Sequence, residues 1–490
     1  MKNSFLTSLI KGSILNSPTR LDKLARKAKW RIRDPKKLRP IDLVHGLMNA
    51  VTKGACSFRL MAGSIGMCFD EKNDSSATGP SFDTISKSAL WERINPEAVC
   101  FLKSVLGGMI KDCVNQPYQK LPALQTITRV LVEDSAILNF DKRLADIYPA
   151  GTNEHGTSAG VRFQAAFDLI TGEPVLLDLT SYKRNDQAAT GDIIPLLTPG
   201  DLLLRDLGYF AYKSFISIVE QGADYLSRYL SNCVLHHAGK GKNDGERIDL
   251  VRYLKENAPG CDDIIDIDVM VGSGQKNIPI FASRLVARRV PKAVEEKRLR
   301  RLGQQEKQRG ITFTKAHRRL QGWEIYLTSL SREDVPAETI LKIYPLRWRI
   351  EIIFKACKSH TQLRKIAAHK SNVYHVKAML YAWLCVLVLA TATRAFALAV
   401  GNCVGELRPN CLSLLKVVPK VFELLGEVMS LSAAPIKQMM ARWWTQMDYH
   451  DRYEPRNTRA NMAEMLSDAL CLTEPENSVN DKIGAMELLS

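Results

Sequence analysis

Residues 344–358 (YPLRWRIEIIFKACK) bring a carboxylate, two cations and a phenol to one side of an amphipathic segment. Leu346, Ile350, Ile353 and Cys357 recur at i, i+4, i+7 and i+11, which predicts a helix over 344–358. Pro345 suits its first turn, where a missing N–H costs nothing. At about 100° per residue, Arg347, Glu351 and Lys358 fall within roughly 40° of one another, and Tyr344 leans toward them from the opening turn. A solvated helical face carries the same residue types, so the reading turns on which other acids in the chain could meet Glu351. Asp134 lies in the apolar run 126–140 (TITRVLVEDSAILNF), on the same strand face as Val130 and Val132, where an unpaired acid is expensive. Its neighbour Glu133 points to the opposite face. Asp206 closes the buried run DLLLRD, just before Leu207-Gly208-Tyr209-Phe210, and sites in open sheets gather at such strand ends. Asp168, Asp178 and Asp201 are local rivals without that context. Phosphodiester chemistry at neutral pH is well served by two divalent ions about 3.5–4 Å apart. Mg²⁺ takes few protein ligands, usually carboxylates, so a site of this kind needs roughly three of them from different elements.

The elements that would position these residues can be read from the change of period along the chain. Residues 1–120 read as helical, with packed helices at 41–61 and 89–110. Strand-like runs follow at 126–140 and, joined by a turn at Thr171-Gly172, within 161–180. A helical stretch at 188–197, a short buried strand at 201–206, a helix at 209–221 and a strand at 224–230 complete the order. Three strands, helix, strand, helix, strand is the order of a ribonuclease-H-like core, an α/β fold with a mixed sheet and flanking helices. The segment 344–358 supplies the one further helix. Between 230 and 338 lies more chain than a loop holds. Its strand-like runs at 264–271, 278–290 and 323–330, with a charged helix at 292–309, read as an inserted, β-rich subdomain. Five regions result: 1–120 helical and DNA-binding, 121–230 the first part of the core, 231–335 the insertion, 336–400 the second part, and 401–490 a helical C-terminal region with helices at 411–430 and 434–447.

Lys and Arg exceed Asp and Glu, 68 against 52, a net charge of +16 that favours a polyanionic partner such as nucleic acid. Basic residues crowd 20–39, around Trp30, and 284–319. The eleven cysteines are scattered and contain no C-x2-C, which speaks for reduced cytoplasmic thiols and against a zinc module. His236-His237 reads as part of a polar loop, and Gly239 to Gly245 as a turn without P-loop spacing. No signal peptide is expected, and the uncharged run 378–393 is shorter than a membrane span, so it reads as a buried core helix.

The pattern Tyr344-x2-Arg347-x3-Glu351-x6-Lys358 resembles the signature of the insertion-sequence-four family of DDE transposases, relatives of transposons five and ten. Asp134-Ser135 and Asp206-Leu-Gly-Tyr-Phe match that family's first and second aspartate segments, and the long gap before Glu351 matches its insertion; together these cover about 120–365. The resemblance implies that Asp134, Asp206 and Glu351 hold two Mg²⁺ ions, with Mn²⁺ able to substitute. It implies that Tyr344, Arg347 and Lys358 contact the DNA of the element's ends. The implied activity is cut-and-paste transposition by metal-dependent strand cleavage and strand transfer, on terminal inverted repeats and target DNA, by a homodimer on paired ends. Arg298, Arg300 and Arg301, in the basic stretch of the insertion, are expected along the same DNA, and Trp323 is either a core residue or an aromatic that stacks on a flipped base. The alternatives are a ribonuclease-H-like nuclease without strand transfer and an inactive DNA-binding relative. A cytoplasmic location, at the nucleoid when bound to DNA, and no membrane association go with this reading.

Overall fold

The computed structural model describes residues 14–31, 38–54, 57–65, 85–114, 127–153, 156–169, 172–238, 245–258, 260, 263–275, 278–360, 363, 366 and 372–403. The expected C-terminal helices at 411–430 and 434–447, and most of the turn at 239–245, lie outside these residues.

Among the described residues five N-terminal helices, α1 (Pro18–Lys27), α2 (Pro40–Thr52), α3 (Phe58–Ile65), α4 (Lys87–Arg93) and α5 (Pro96–Val114), precede the sheet. Ser17 caps α1 through Arg20 N–H, with Pro18 in the first turn, the arrangement that satisfies orphan N–H groups at a helix start. Strands β1 (Arg129–Phe140), β2 (Pro149–Asn153), β3 (Gly156–Asp168) and β4 (Pro174–Ser181) follow. Then come α6 (Asp186–Ala189), β5 (Asp201–Arg205), α7 (Tyr212–Glu220) and β6 (Asp224–Arg228). The insertion contributes β7 (Leu235–His237), α8 (Leu250–Asn257), β8 (Ile264–Val271), β9 (Phe281–Arg289), α9 (Lys292–Arg309), α10 (Lys315–Leu320) and β10 (Trp323–Thr328). The helices α11 (Ala337–Ile343), α12 (Arg349–His360) and α13 (Val373–Cys403) return to the core.

β1 pairs antiparallel with β3 and β3 with β4, while β1, β5 and β6 run parallel. This is the ribonuclease-H-like order expected from the sequence, with β2 added beyond it on the far edge of β3. The turn between β3 and β4 has Gly172 at φ +77°, a conformation natural to glycine. Among the described residues the β-rich insertion does not form a sheet of its own. Its β10 pairs antiparallel with β6, and β9, β8 and β7 continue outward, so one ten-stranded sheet runs through core and insertion alike. The open edge of β6 offers unpaired backbone groups that a returning strand satisfies. His236-His237 accordingly lies in the edge strand β7 and not in a loop.

Side chains alternate across β1 and feed two cores. Val130 and Val132 join the cluster that holds α12, α13 and the N-terminal helices, whereas Leu131 joins the cluster beneath α7 and α8. Over its described side chains, residues 373–393, the helix α13 is largely apolar and buried, Trp383 included, as a core helix should be. Trp30 stacks on Phe101 and donates its indole N–H to the Arg93 carbonyl, tying the basic segment to α5 and the end of α4.

Candidate metal and nucleic-acid site

Residues 344–348 form a separate 3-10 turn between α11 and α12, and not the first turn of one continuous helix. Pro345 explains the break: it has no N–H to continue the α-helical ladder, and its ring crowds the preceding turn. The turn rotates Tyr344 inward. Its ring packs on Tyr326 at 4.6 Å between centroids, and its hydroxyl donates to the Arg205 carbonyl at 3.0 Å. Tyr344 is 6% exposed, so this phenol is part of the packing between α12 and the sheet, with its hydroxyl also facing the Arg347 guanidinium from beneath.

Arg347 reaches from the same turn to the end of the parallel strand pair. In the β1–β5 register Val132 stands beside Leu204. Two residues on, Asp134 and Asp206 share the face that α12 covers, in strands about 4.8 Å apart. The guanidinium of Arg347 sits among the acids: 3.7 Å from Asp134 Oδ2, 3.8 Å from Asp206 Oδ1 and 3.6 Å from Glu351 Oε1. Three carboxylates from three elements thus surround one cation. Burial pushes the Asp134 carboxyl up to about 6, with Asp206 and Asp186 adding to the rise, against the pull of the Ser135 N–H and of Arg347.

The three rivals have structural duties. Asp201 is fully buried and holds Arg129 through bonds of 2.7 and 2.5 Å; Asp168 accepts the Val130 N–H at 3.3 Å; Asp178 pairs with Lys103 at 2.8 Å. Glu133 points away from the site, as strand alternation requires, into a bond with Arg205. Sequence reasoning missed Asp186. Its carboxylate accepts from Ser135 Oγ at 2.7 Å and Arg162 Nη1 at 2.9 Å, fixing the residue that follows Asp134. The carboxylate also lies 3.1 Å from the point where a side chain at Gly208 would begin, a close approach between Asp186 and the turn after Asp206.

The donor set suits a hard divalent cation: carboxylate oxygens, already arranged about a positive group. Among the described residues no group of three acids, histidines or cysteines is closed enough to hold an ion, and Arg347 stands between these three acids. The residues fit Mg²⁺ in type and charge, with the Arg347 guanidinium among them. Lys358 is half-buried on α12, next to the buried Cys357.

In the insertion, Arg298 donates to the Gln321 and Trp323 carbonyls at 3.3 and 3.0 Å and lies 3.5 Å from Glu324. It locks α9 onto β10 and is not one of a free basic row, contrary to the grouping with Arg300 and Arg301, which are exposed. Trp323 packs against the cluster beneath α7 and α8.

The raised pKa of Asp134 has a signed consequence. A carboxyl whose folded pKa lies above its ordinary value of 3.8 stabilises the fold at low pH and loses that contribution as pH rises through about 6. Asp134→Asn, which mimics the protonated form, should raise the melting temperature of the metal-free protein at pH 8 by a few degrees. It should change little at pH 4. Equal shifts at both pH values, read by calorimetry, would exclude this origin.

The family described as the transposase DDE domain matches residues 126–389, the stretch that carries all three acids. The chain is similar to the transposase for insertion sequence element IS231E of Bacillus thuringiensis subsp. finitimus, 29% identical over 294 residues, 57% of this chain and 60% of that one. It is 31% identical over 292 residues to the transposase for IS231B of Bacillus thuringiensis subsp. berliner, with 57% of this chain and 60% of the relative covered. The transposase for IS1151 of Clostridium perfringens is 24% identical over 320 residues, 63% of this chain and 66% of its own. The matches therefore span less than two thirds of each of these relatives.

Proposed function

This chain belongs to the family of the transposase DDE domain, and on that footing we propose that it cleaves and joins DNA at the ends of an insertion sequence. The observation that carries the reading is the convergence of Asp134, Asp206 and Glu351 on one cationic centre at the ends of β1 and β5. Two Mg²⁺ ions bound there would activate the attacking oxygen and neutralise the leaving one. Asp134 and Asp206, on adjacent strands, and Glu351, on α12, would hold them. Arg347, released from the acids, is placed to take a phosphate of the DNA end, and Lys358, further along α12, to take another; such contacts fix register without reading sequence. In the cut-and-paste route one strand is hydrolysed first, and the freed 3′-hydroxyl then attacks. The substrates are the terminal inverted repeats and target DNA, engaged by a homodimer in the cytoplasm. The regional reading goes with it: N-terminal helices and the insertion along the DNA, flanking the core.

The test is an assay of the purified full chain with Mg²⁺ on DNA bearing the inverted repeats that bracket its gene. Joined products are expected. Cleavage without joining would favour a ribonuclease-H-like nuclease, and binding without cleavage an inactive relative.

The exposed face of α9 gives a separate expectation. Arg300→Glu with Arg301→Glu should weaken end-DNA binding at least tenfold, because reversed charges repel phosphates, with little change in melting temperature. Arg298→Glu should instead destabilise the insertion by breaking its bonds to β10. Normal DNA binding by the double variant would leave α9 a solvated helix.

A further inference from the structure

Directly behind the two aspartates the sheet carries a buried ion pair. Glu133 and Arg205, 1% and 0% exposed, precede Asp134 and Asp206 on the neighbouring strands β1 and β5 and point to the opposite face. Arg205 Nη2 lies 3.0 Å from Glu133 Oε2, and its Nε donates to the same oxygen at 3.1 Å. Its other donors go to Ser214 Oγ on α7 and to the Thr190 carbonyl, 2.6 Å away, at the end of α6. The Arg205 carbonyl accepts the Tyr344 hydroxyl at 3.0 Å, and Tyr344 opens the turn that presents Arg347 and Glu351.

A buried pair of charges is an expensive way to fill space, since apolar residues of the same volume commonly serve stability as well or better. What the pair supplies is fixed geometry: the guanidinium is a rigid planar fork, bonded here in several directions at once. Through its side chain Arg205 fixes β5 against β1, and through its carbonyl it fixes the approach of α12. All three acids are therefore referenced to this one residue. We propose that Glu133 and Arg205 are positioning residues that set the separation of Asp134, Asp206 and Glu351 for divalent-cation binding. This rests on the metal-binding reading above.

The experiment is calorimetric titration of Mn²⁺ into the full-length protein, alongside melting temperature and the Mg²⁺ concentration giving half-maximal cleavage. Single removals leave a buried charge without its partner, so the informative variant is Glu133→Leu with Arg205→Met. It should fold, with Mn²⁺ affinity reduced at least tenfold and the half-saturating Mg²⁺ raised to match. Tyr344→Phe removes the hydroxyl that bonds the Arg205 carbonyl and also meets Arg347; it should lower Mn²⁺ affinity several-fold, and the same loss on adding Tyr344→Phe to Arg347→Ala decides the matter if the double variant does not fold. Wild-type Mn²⁺ affinity in whichever of these variants folds would overturn the proposal while leaving the metal site standing. Absence of Mn²⁺ binding in the wild type, or binding that survives in Asp134→Ala, would overturn the metal site itself and this inference with it.

Discussion

Asp134→Ala, Asp206→Ala and Glu351→Ala should each reduce DNA cleavage by roughly 10³-fold or more while end-DNA binding stays near wild type. The size follows from the chemistry. A bound divalent ion is worth several kcal/mol of charge stabilisation in the transition state, and each 1.36 kcal/mol is about tenfold in rate. The separation of effects follows from the geometry: the acids contribute negative charge, so removing one does not weaken attraction to phosphates. Cleavage retained in any one variant would remove that residue from the ligand set. A loss of folding in Glu351→Ala is not expected, because its side chain is 60% exposed.

Arg347→Ala should have two effects of opposite sign. The guanidinium lies 3.6 to 3.8 Å from three carboxylates, so it competes with any cation for the same centre. Without it, Mn²⁺ should bind the DNA-free protein about tenfold more tightly at pH 8. Opposite charges about 4 Å apart interact by up to about 4 kcal/mol at an effective dielectric of 20, so a tenfold gain asks for only part of that. The measurement belongs at pH 8 because Arg347 also pulls the Asp134 pKa down, and its loss lets that pKa rise. End-DNA binding should weaken, with a salt dependence smaller by about one phosphate. Unchanged Mn²⁺ affinity would mean that Arg347 is not a competitor; an unchanged salt slope would mean that it does not reach the DNA.

The site was legible in the sequence to the extent that strand alternation and strand ends are legible. Asp134 among Val130 and Val132 is visible as an acid on an apolar face, and Asp206 as an acid closing a buried run. The helix carrying Glu351 is visible from its stripe of Leu346, Ile350, Ile353 and Cys357, all buried as expected. The charged helix of the insertion, Lys292–Arg309, is visible from its run of helix-forming charged residues between Pro291 and Gly310. Other features have no local signature. The inward turn of Tyr344 depends on how Pro345 divides the segment into a 3-10 turn and a helix, and counting at 100° per residue assumes no division. The role of Arg298 depends on carbonyls at 321 and 323 that only the returned chain supplies. The joining of the insertion to the edge of β6 is likewise a pairing across about a hundred residues, which propensity does not encode. Glu133 could be assigned a face but not a partner, since Arg205 lies 72 positions away.

The order in which the sheet closes also sets a schedule for synthesis. β6 gains its second neighbour only when β10 has returned, and Glu351 follows Asp206 by 351 − 206 = 145 positions. At about 5–20 residues per second, the last acid leaves the ribosome on the order of ten seconds after the second. During that interval the nascent chain holds two of the three acids with no Tyr344 to dock on Arg205 and no Arg347 to neutralise them. A chain released before residue 344 would carry Asp134 and Asp206 without the third acid and without the helices α12 and α13 that cover their strands.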